Sequence, residues 1–125
     1  MNVETVNASP DCPIVKSIRL IGGEWNLIII RHLSDESKGF NELLKNAVNI
    51  SPRTLSRTLK YLEEQEFVSR EVVSTRPFRV KYNLTEKGKA LKFALNDLRE
   101  WGEKWAEPIH PQEAKILSSD SGVRS

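Results

Sequence analysis

The sequence has little of what most enzymes and disulfide-rich proteins need. Its 125 residues include one cysteine, Cys12, and two histidines, His32 and His110. A single thiol excludes an intramolecular disulfide framework and cannot form the cysteine cluster of a structural zinc site. Neither histidine stands in a recognisable nucleophile or metal pattern. We therefore expect no enzyme activity, no cofactor and no metal.

Long hydrophobic runs are also missing. The longest one, Leu27–Ile30, is far too short to span a bilayer, and no N-terminal stretch has the charged-then-apolar layout of a signal peptide. These absences predict a cytoplasmic protein with no membrane partner. The composition that remains, with 38% hydrophobic and 29% charged residues, is typical of one globular domain.

The excess of positive charge is small but unevenly distributed. The formal net charge is only +2, yet the segment from Arg53 to Lys89 holds nine basic residues against five acidic ones, and the rest of the chain is slightly acidic. The distribution says more than the total, because a local concentration of cations is typical of a surface that meets an anionic partner.

Hydrophobic periodicity and turn signals predict five helices and one β-hairpin. The second helix is apolar nearly all round, which places it at the centre of the core. The fourth begins at Ser51-Pro52, where serine is a favourable N-cap and proline suits the first helical position. The second strand alternates apolar residues with basic ones, so its outer face should be basic. The predicted ranges are helices from Pro13 to Gly22-Gly23, from Glu24 to Leu33, from Phe40 to about Ala47 with a left-handed Asn49 at the end, from Ser51 to about Gln65 and from Thr85 to about Glu107, and strands 68–73 and 79–84 around a turn at 74–78.

This order of elements predicts the fold class and the division of the chain. A helix, a short turn, an amphipathic basic helix and then a hairpin form the layout of a winged helix-turn-helix. The fold class is therefore mainly α with a small β-hairpin. We expect a flexible N-terminal arm at 1–11, the winged helix-turn-helix domain with dimerisation helices at 12–107, and a loose C-terminal tail at 108–125.

The fourth helix carries the most informative pattern. At about 100° per residue its leucines fall on one face, and a polar, basic face lies opposite. Such a face fits the major groove of DNA, where arginine can form two hydrogen bonds with guanine and hydroxyls can reach bases or phosphates. The alternative is an ordinary solvated helix face. The candidate DNA-contacting residues of this helix are Ser51, Arg53, Thr54, Ser56, Arg57 and Lys60.

The hairpin that follows offers a second basic element. Arg76, Arg79 and Lys81 lie near its tip and can contact the DNA backbone or the minor groove, while Pro77 stiffens the loop and lowers the entropic cost of placing them. Charge at this place can also serve only to keep an exposed hairpin soluble. A basic helix followed directly by a basic wing is less easily accidental than either element alone. The combination therefore favours DNA binding over a solvated helix face and a hairpin kept soluble by charge.

The last helix has a heptad-like apolar seam. The spacing of three and four residues is typical of a surface that packs against a second helix, and exposed tryptophans would form an undesirable patch unless a partner covered them. Phe93 and Leu95 add apolar surface outside the seam. The alternative is that all these residues serve the core of their own chain. The residues of the seam are Leu91, Ala94, Leu98, Trp101 and Trp105.

Short motifs along the whole chain carry a resemblance to a known family. They are Cys12-Pro13, 20–23, Trp25, 28–33, Phe40, Glu42, Leu43, Ile50-Ser51, Arg53, Leu55, Leu59, Leu62-Glu63, Val68, Arg70, Pro77, Arg79-Val80, Tyr82, Leu84-Thr85, Gly88 and Trp101. As a set they resemble the HxlR-type winged-helix transcription regulators, which are related to the MarR group. The resemblance covers residues 12 to about 105 without an obvious gap.

The resemblance implies a homodimeric regulator on a near-palindromic operator in double-stranded DNA. It also implies that the first and last helices build the dimer, which adds Ile14 and Ile18 to the seam. Two recognition helices would then lie about 34 Å apart and read successive turns of the major groove. The sequence departs from the family pattern at Glu24, at Glu66 in place of a glycine, and at Phe78 and Lys81 in the wing. These departures bear on local geometry and operator preference more than on the fold.

Cys12 and the nature of the partner leave alternatives open. Some members of the resembled family sense oxidants or electrophiles through a cysteine at this position, and a helix start favours the thiolate. Cys12 is therefore a possible redox sensor, with an inert thiol as the alternative, and a small-molecule or oxidant effector stays open. The rival to a DNA reader is a winged-helix module that docks onto proteins without sequence-specific DNA binding.

Overall fold

A computed structural model describes residues 11–108 of the chain. The predicted arm and tail fall on 1–10 and 109–125, and with them His110, outside the described residues. The elements are α1 (Pro13–Ile21), α2 (Glu24–Leu33), α3 (Phe40–Asn46), α4 (Pro52–Glu64), β1 (Val68–Thr75), β2 (Phe78–Leu84), α5 (Glu86–Lys89) and α6 (Lys92–Trp105).

Helix α2 lies at the centre of the core, as its sequence predicts. Trp25, Ile29, Ile30 and Leu33 are buried. Ile28 is 36% exposed, so the nearly continuous apolar surface of the helix is not buried on that side. The core around α2 consists of these four residues with Leu43, Ala47, Ile50, Leu55, Leu59, Leu62, Phe67, Val68 and Leu84.

The connection from α3 to α4 follows the predicted turn chemistry. Helix α3 ends at Asn46, one residue before the predicted end, and Asn49 has a φ of 69°. Asparagine tolerates this left-handed conformation better than most residues, because its short side chain can bond locally. The turn brings Ile50 into the core and starts α4 directly afterwards.

The end of α4 is closed by a Schellman motif with an unusual residue. The Glu66 amide donates to the Glu63 carbonyl at 3.0 Å and the Phe67 amide to the Leu62 carbonyl at 2.8 Å, which is the hydrogen-bond pair of that motif. Glu66 has a φ of 63°, where glycine is the favoured residue. The departure from the family pattern at Glu66 therefore leaves the geometry of the helix end intact.

The hairpin is longer than the predicted one. The strands pair antiparallel from Val68 opposite Leu84 to Thr75 opposite Phe78, so only Arg76 and Pro77 form the turn, joined by a cis peptide bond. The register shifts by one residue between Val72 and Ser74, which makes a β-bulge at Val73.

An isolated β-bridge, which the sequence did not predict, adds one residue to the free side of β2. The Lys38 amide and carbonyl both bond to Tyr82, at 3.2 and 2.8 Å. Lys38 therefore covers the free edge of β2 in the middle of the strand, which explains why Lys81, Tyr82 and Asn83 are half-buried.

The prediction of one long helix from Thr85 to Glu107 is wrong, because the helix is interrupted. Thr85 caps α5 as predicted, accepting a hydrogen bond from the Gly88 amide. Gly88 packs against the Phe67 carbonyl so closely that a Cβ would collide with it. The chain then tightens, and the Leu91 amide bonds to the Gly88 carbonyl at 3.2 Å in a 3₁₀-type turn. Helix α6 starts after this turn, in a new ladder of hydrogen bonds.

Candidate nucleic-acid interface

Helix α4 separates its two faces as the sequence predicts. Leu55, Leu59 and Leu62 are buried against α2 and the sheet. Within residues 11–108 no ion pair holds any of the cations on the opposite face. Their charges therefore remain available to a partner. The exposed residues of that face are Arg53, Ser56, Arg57 and Lys60.

The start of α4 uses two of the predicted contact residues for its own geometry. The Thr54 amide donates to Ser51 Oγ at 3.1 Å, and the Ser51 hydroxyl donates to Thr54 Oγ1 at 2.9 Å. Ser51 therefore caps the helix, and Thr54 is half-buried beneath it. The cap fixes the direction of the first turn, whose free amides favour an anion. Both residues position the interface more than they extend it.

The wing presents two of its three predicted cations at the tip. Arg76 and Arg79 are exposed on either side of Pro77 and Phe78. Lys81 is different, since it is half-buried and stands opposite Glu71 in the register. A carboxylate at this cross-strand position is a favourable neighbour for its charge, although no ion pair joins the two side chains among the described residues. The exposed positive charge at the tip of the wing therefore comes from Arg76 and Arg79.

One cation beside the interface lies outside the basic segment of the sequence. Arg19, near the end of α1, lines a groove of about 570 Å³ together with Trp25, Thr54 and Arg57. Tyr61 ties α1 to α4 at this place, because its hydroxyl donates to the Leu20 carbonyl at 2.5 Å. A search for basic clusters along the chain misses Arg19, since it is distant in sequence from Arg57. Only the packing of α1 on α4 brings the two together.

The predicted dimer residues form exposed apolar surface on the two terminal helices. Ile14 and Ile18 of α1 are exposed, as are Ala94, Leu98, Trp101 and Trp105 of α6. Leu91 is half-buried and packs on the core of its own chain, as does Leu95. Helix α6 thus has an exposed apolar face and an inner face with Leu95, and Leu91, the residue before the helix, lies on the inner side.

Cys12 lies at the N-cap of α1 and is only 3% exposed. Its side chain makes no capping hydrogen bond, and its carbonyl accepts the Lys16 amide at 2.9 Å. The thiol is therefore enclosed at the point where α1 begins. A larger oxidised or alkylated side chain there would require the surrounding atoms to move.

Of the two histidines, His32 falls within the described residues. His32 lies on α2, and burial, Arg31 and Lys38 together lower its pKa below the ordinary value. Among residues 11–108 no group of His, Cys, Asp and Glu is placed to hold a metal ion. No helix of this range is long and apolar enough to cross a bilayer.

Comparisons with known proteins agree with this geometry. Residues 20–110 match a family model described as HxlR-like helix-turn-helix. The chain is 37% identical over 109 residues to the HTH-type transcriptional regulator YdeP of Bacillus subtilis, which covers 87% of this chain and 85% of YdeP. Relatives of this kind are transcriptional regulators and not enzymes.

Two solved structures of redox-related regulators have the same fold. The reduced form of YodB from Bacillus subtilis matches with a TM-score of 0.67 and 38% identity, over 79% of this chain and 98% of that one. The oxidised form of the redox regulator HypR matches with a TM-score of 0.72 and 36% identity, over 78% of this chain and all of the other. YodB has also been solved after diamide treatment and with bound quinone.

Proposed function

The chain belongs to the HxlR-like helix-turn-helix family of transcriptional regulators, and from that premise we propose that it is a cytoplasmic homodimer that reads a near-palindromic operator. The observation that carries this proposal is the outer face of α4. Arg53, Arg57 and Lys60 are exposed there without ion-pair partners among the described residues. A helix with such a face fits the major groove, which is wide enough for one helix.

The wing and the groove at Arg19 add further basic surface to that of α4. Arg76 and Arg79 are exposed at the tip of the wing, and in this proposal they contact the backbone or the minor groove beside the recognition helix. Arg19 and the start of α4 line one groove and offer a site for an anion there. Contacts of this kind fix the register of the protein on the duplex, and contacts to base edges then supply specificity.

The terminal helices supply the second half of the proposal. Their exposed isoleucines, Leu98 and tryptophans form more apolar surface than a soluble monomer normally shows. Pairing of these faces in a second copy would bury them and place two α4 helices on one side of the dimer. The occupant of the apolar face is therefore a second copy of this chain, and the operator is expected to have matching half-sites.

Control of DNA binding by an oxidant or an electrophile is proposed for Cys12. The relatives YodB and HypR support this, since their structures are described by reduced, oxidised and quinone-bound forms. In this chain the thiol lies at the start of a proposed dimer helix. A change at Cys12 would therefore move α1 and with it the spacing of the two recognition helices.

Replacement of Arg57 tests the proposed role of α4. Duplexes selected from a random library by the wild-type chain serve as the probe. Arg57→Ala should lower the preference for the selected duplex over random DNA by about tenfold, because one bidentate arginine–guanine contact contributes ~1–3 kcal/mol. Fluorescence anisotropy at several salt concentrations gives both affinities.

The matched control is Arg99→Ala, which removes an exposed cation of α6 away from the interface. It should leave the preference unchanged. Unchanged preference in Arg57→Ala as well would reject that residue as a base reader. If the wild type selects no duplex and its affinity does not fall with salt, the protein-docking alternative replaces the DNA reader.

A further inference from the structure

The inner face of β2 is an apolar stripe that continues past the end of the core. Leu84, Tyr82, Val80 and Phe78 alternate on one side of the strand. Leu84 is 9% exposed and closes the core, whereas Phe78 at the other end is 63% exposed. The same face that anchors the sheet therefore ends in an aromatic ring that the described residues leave largely uncovered.

On the paired strand β1, the residue beside the uncovered part of this stripe is also apolar. Val72 stands opposite Val80 on the same face and is exposed. The β-bulge at Val73 shifts the alternation of side chains between the two faces of β1 by one residue. Thr75 then stands opposite Phe78 as the last pair before the two-residue turn. A turn this short restricts the ring to a narrow region at the tip of the wing. Phe78 is thus held at a defined position and not on a flexible loop.

Two exposed cations flank this aromatic tip, and a third lies further along the same hairpin. Arg76 and Arg79 are its near neighbours along the chain, and Arg70 stands opposite Tyr82 on the same face of the hairpin. None of the three forms an ion pair within residues 11–108. A second copy of the wing would bring like charges together, which disfavours self-association at this place. A polyanion with an apolar, stackable interior is the complementary partner.

We propose that Phe78 is a wedge that enters the minor groove of the operator and partly unstacks one base step in each half-site. The inference rests on the proposed DNA-binding function and adds to it a residue that selects sequence without hydrogen bonds. Apolar side chains inserted from the minor groove kink the duplex, and the cost of unstacking depends on the step that is opened. Arg76 and Arg79 would hold the flanking phosphates while the ring is inserted.

This mechanism predicts a preference at a position that no side chain reads directly. Pyrimidine–purine steps such as TA and CA are the easiest to kink. The operator should therefore carry such a step at the place of the wing, outside the bases reached by α4. Because deformability and not base identity is selected, TA and CA should substitute for each other better than for a stiff step.

The test uses the full chain and the duplex selected by the wild type, with 2-aminopurine placed at successive positions along it. Insertion of Phe78 should raise the emission of the probe at one step per half-site, because unstacking relieves quenching. Phe78→Ala should abolish this rise and weaken binding about tenfold, in the range found for the loss of one aromatic stacking partner. Phe78→Leu, which keeps an apolar wedge, should restore part of both.

Val73→Ala is the matched control, since it removes an exposed apolar side chain at the bulge and should change neither emission nor affinity. The salt dependence separates the ring from its neighbours, because Phe78→Ala should keep the wild-type slope whereas Arg76→Ala should reduce it by about one. If the wild type binds the selected duplex but Phe78→Ala equals Val73→Ala, the wedge is overturned and the DNA reader stands. A shift in oligomeric state on Phe78→Ala would assign the tip to a second copy instead. If no duplex is selected, both proposals fail together.

Discussion

Helix α4 and the terminal helices α1 and α6 are all amphipathic, but they complete their apolar faces in different ways. Helix α4 buries Leu55, Thr58, Leu59 and Leu62 inside its own chain. Helices α1 and α6 contain no fully buried residue. Ile14 and Ile18 of α1 and the two tryptophans of α6 are exposed, whereas the exposed face of α4 carries arginine and lysine.

The beginnings of α1 and α4 show the same contrast on a smaller scale. Both helices start with a proline at the first position, after Cys12 in α1 and after Ser51 in α4. The Ser51 hydroxyl caps its helix, whereas the Cys12 side chain makes no capping bond and is buried. This difference shows that α4 is completed within its own chain, by the Ser51 cap and the burial of its apolar face. The terminal helices leave large apolar side chains exposed in the single chain, which the proposed dimer would cover.

The largest effect should come from placing a charge on the outer face of α6. Trp101 is 59% exposed, so Trp101→Glu leaves the core intact and disrupts only the proposed contact with a second copy. We expect a monomer by sedimentation and a loss of operator affinity of about 100-fold, since two linked half-sites contribute an avidity of this order or more.

Asn96→Asp is the control for that charge, because Asn96 lies about 140° around the helix from Trp101. It should stay dimeric and bind as the wild type does. A dimeric Trp101→Glu with unchanged operator binding would show that the terminal helices do not need a partner, and the contrast with α4 would disappear.

A smaller effect should follow from oxidation of Cys12. Hydrogen peroxide oxidises the thiol to a sulfenic acid and is itself reduced to water. The enlarged group does not fit the enclosed site, so α1 should shift, and we expect operator affinity to change about tenfold, as overpacking costs ~1–3 kcal/mol. The measurement is a titration of the selected duplex before and after peroxide or quinone.

Cys12→Ser is the matched variant, because it removes the reactive sulfur at nearly constant size. It should bind the operator without oxidant and show no response when oxidant is added. If wild type and Cys12→Ser respond equally to oxidant, the cysteine is an inert thiol.

The smallest effect concerns the closed end of α4. Glu66→Gly should stabilise the fold by about 1 kcal/mol, since a non-glycine residue in the left-handed region costs ~1–2 kcal/mol. Glu63→Gly, in the last turn of the helix, should destabilise it by a similar amount. Denaturant unfolding of the two variants gives the signs. Equal signs would mean that the left-handed position carries no strain that glycine relieves.

Local chemistry made α4 and the hairpin predictable from the sequence. Ser51-Pro52 marks the helix start, leucine spacing marks its inner face, and Asn49 marks the turn before it. The exposed cations of α4 follow from that spacing alone. The family, and with it the winged helix, follows from motifs spread over the whole chain.

The features that the sequence did not predict depend on contacts between distant residues. Lys38 pairs with Tyr82 across more than forty positions, and no period or turn signal marks a strand of one residue. The interruption after α5 depends on Gly88 meeting the Phe67 carbonyl. Arg19 joins the interface only because α1 packs on α4. The burial of the Cys12 side chain likewise depends on the residues around it. Its position at the start of a helix does not predict that burial.

The junction between α4 and α5 has a mechanical consequence. Thr85 Oγ1 donates to the Glu66 carbonyl at 2.5 Å, and Lys87 Nζ donates to the Gln65 carbonyl at 2.7 Å. These bonds fix α5 to the end of α4, and the 3₁₀ turn at Leu91 sets the direction in which α6 leaves. Helix α6 has 14 residues, and at 1.5 Å per residue a difference of about 10° in that direction would displace its far end by about 4 Å. In the proposed dimer, the angle at this turn would therefore contribute to the distance between the two α4 helices.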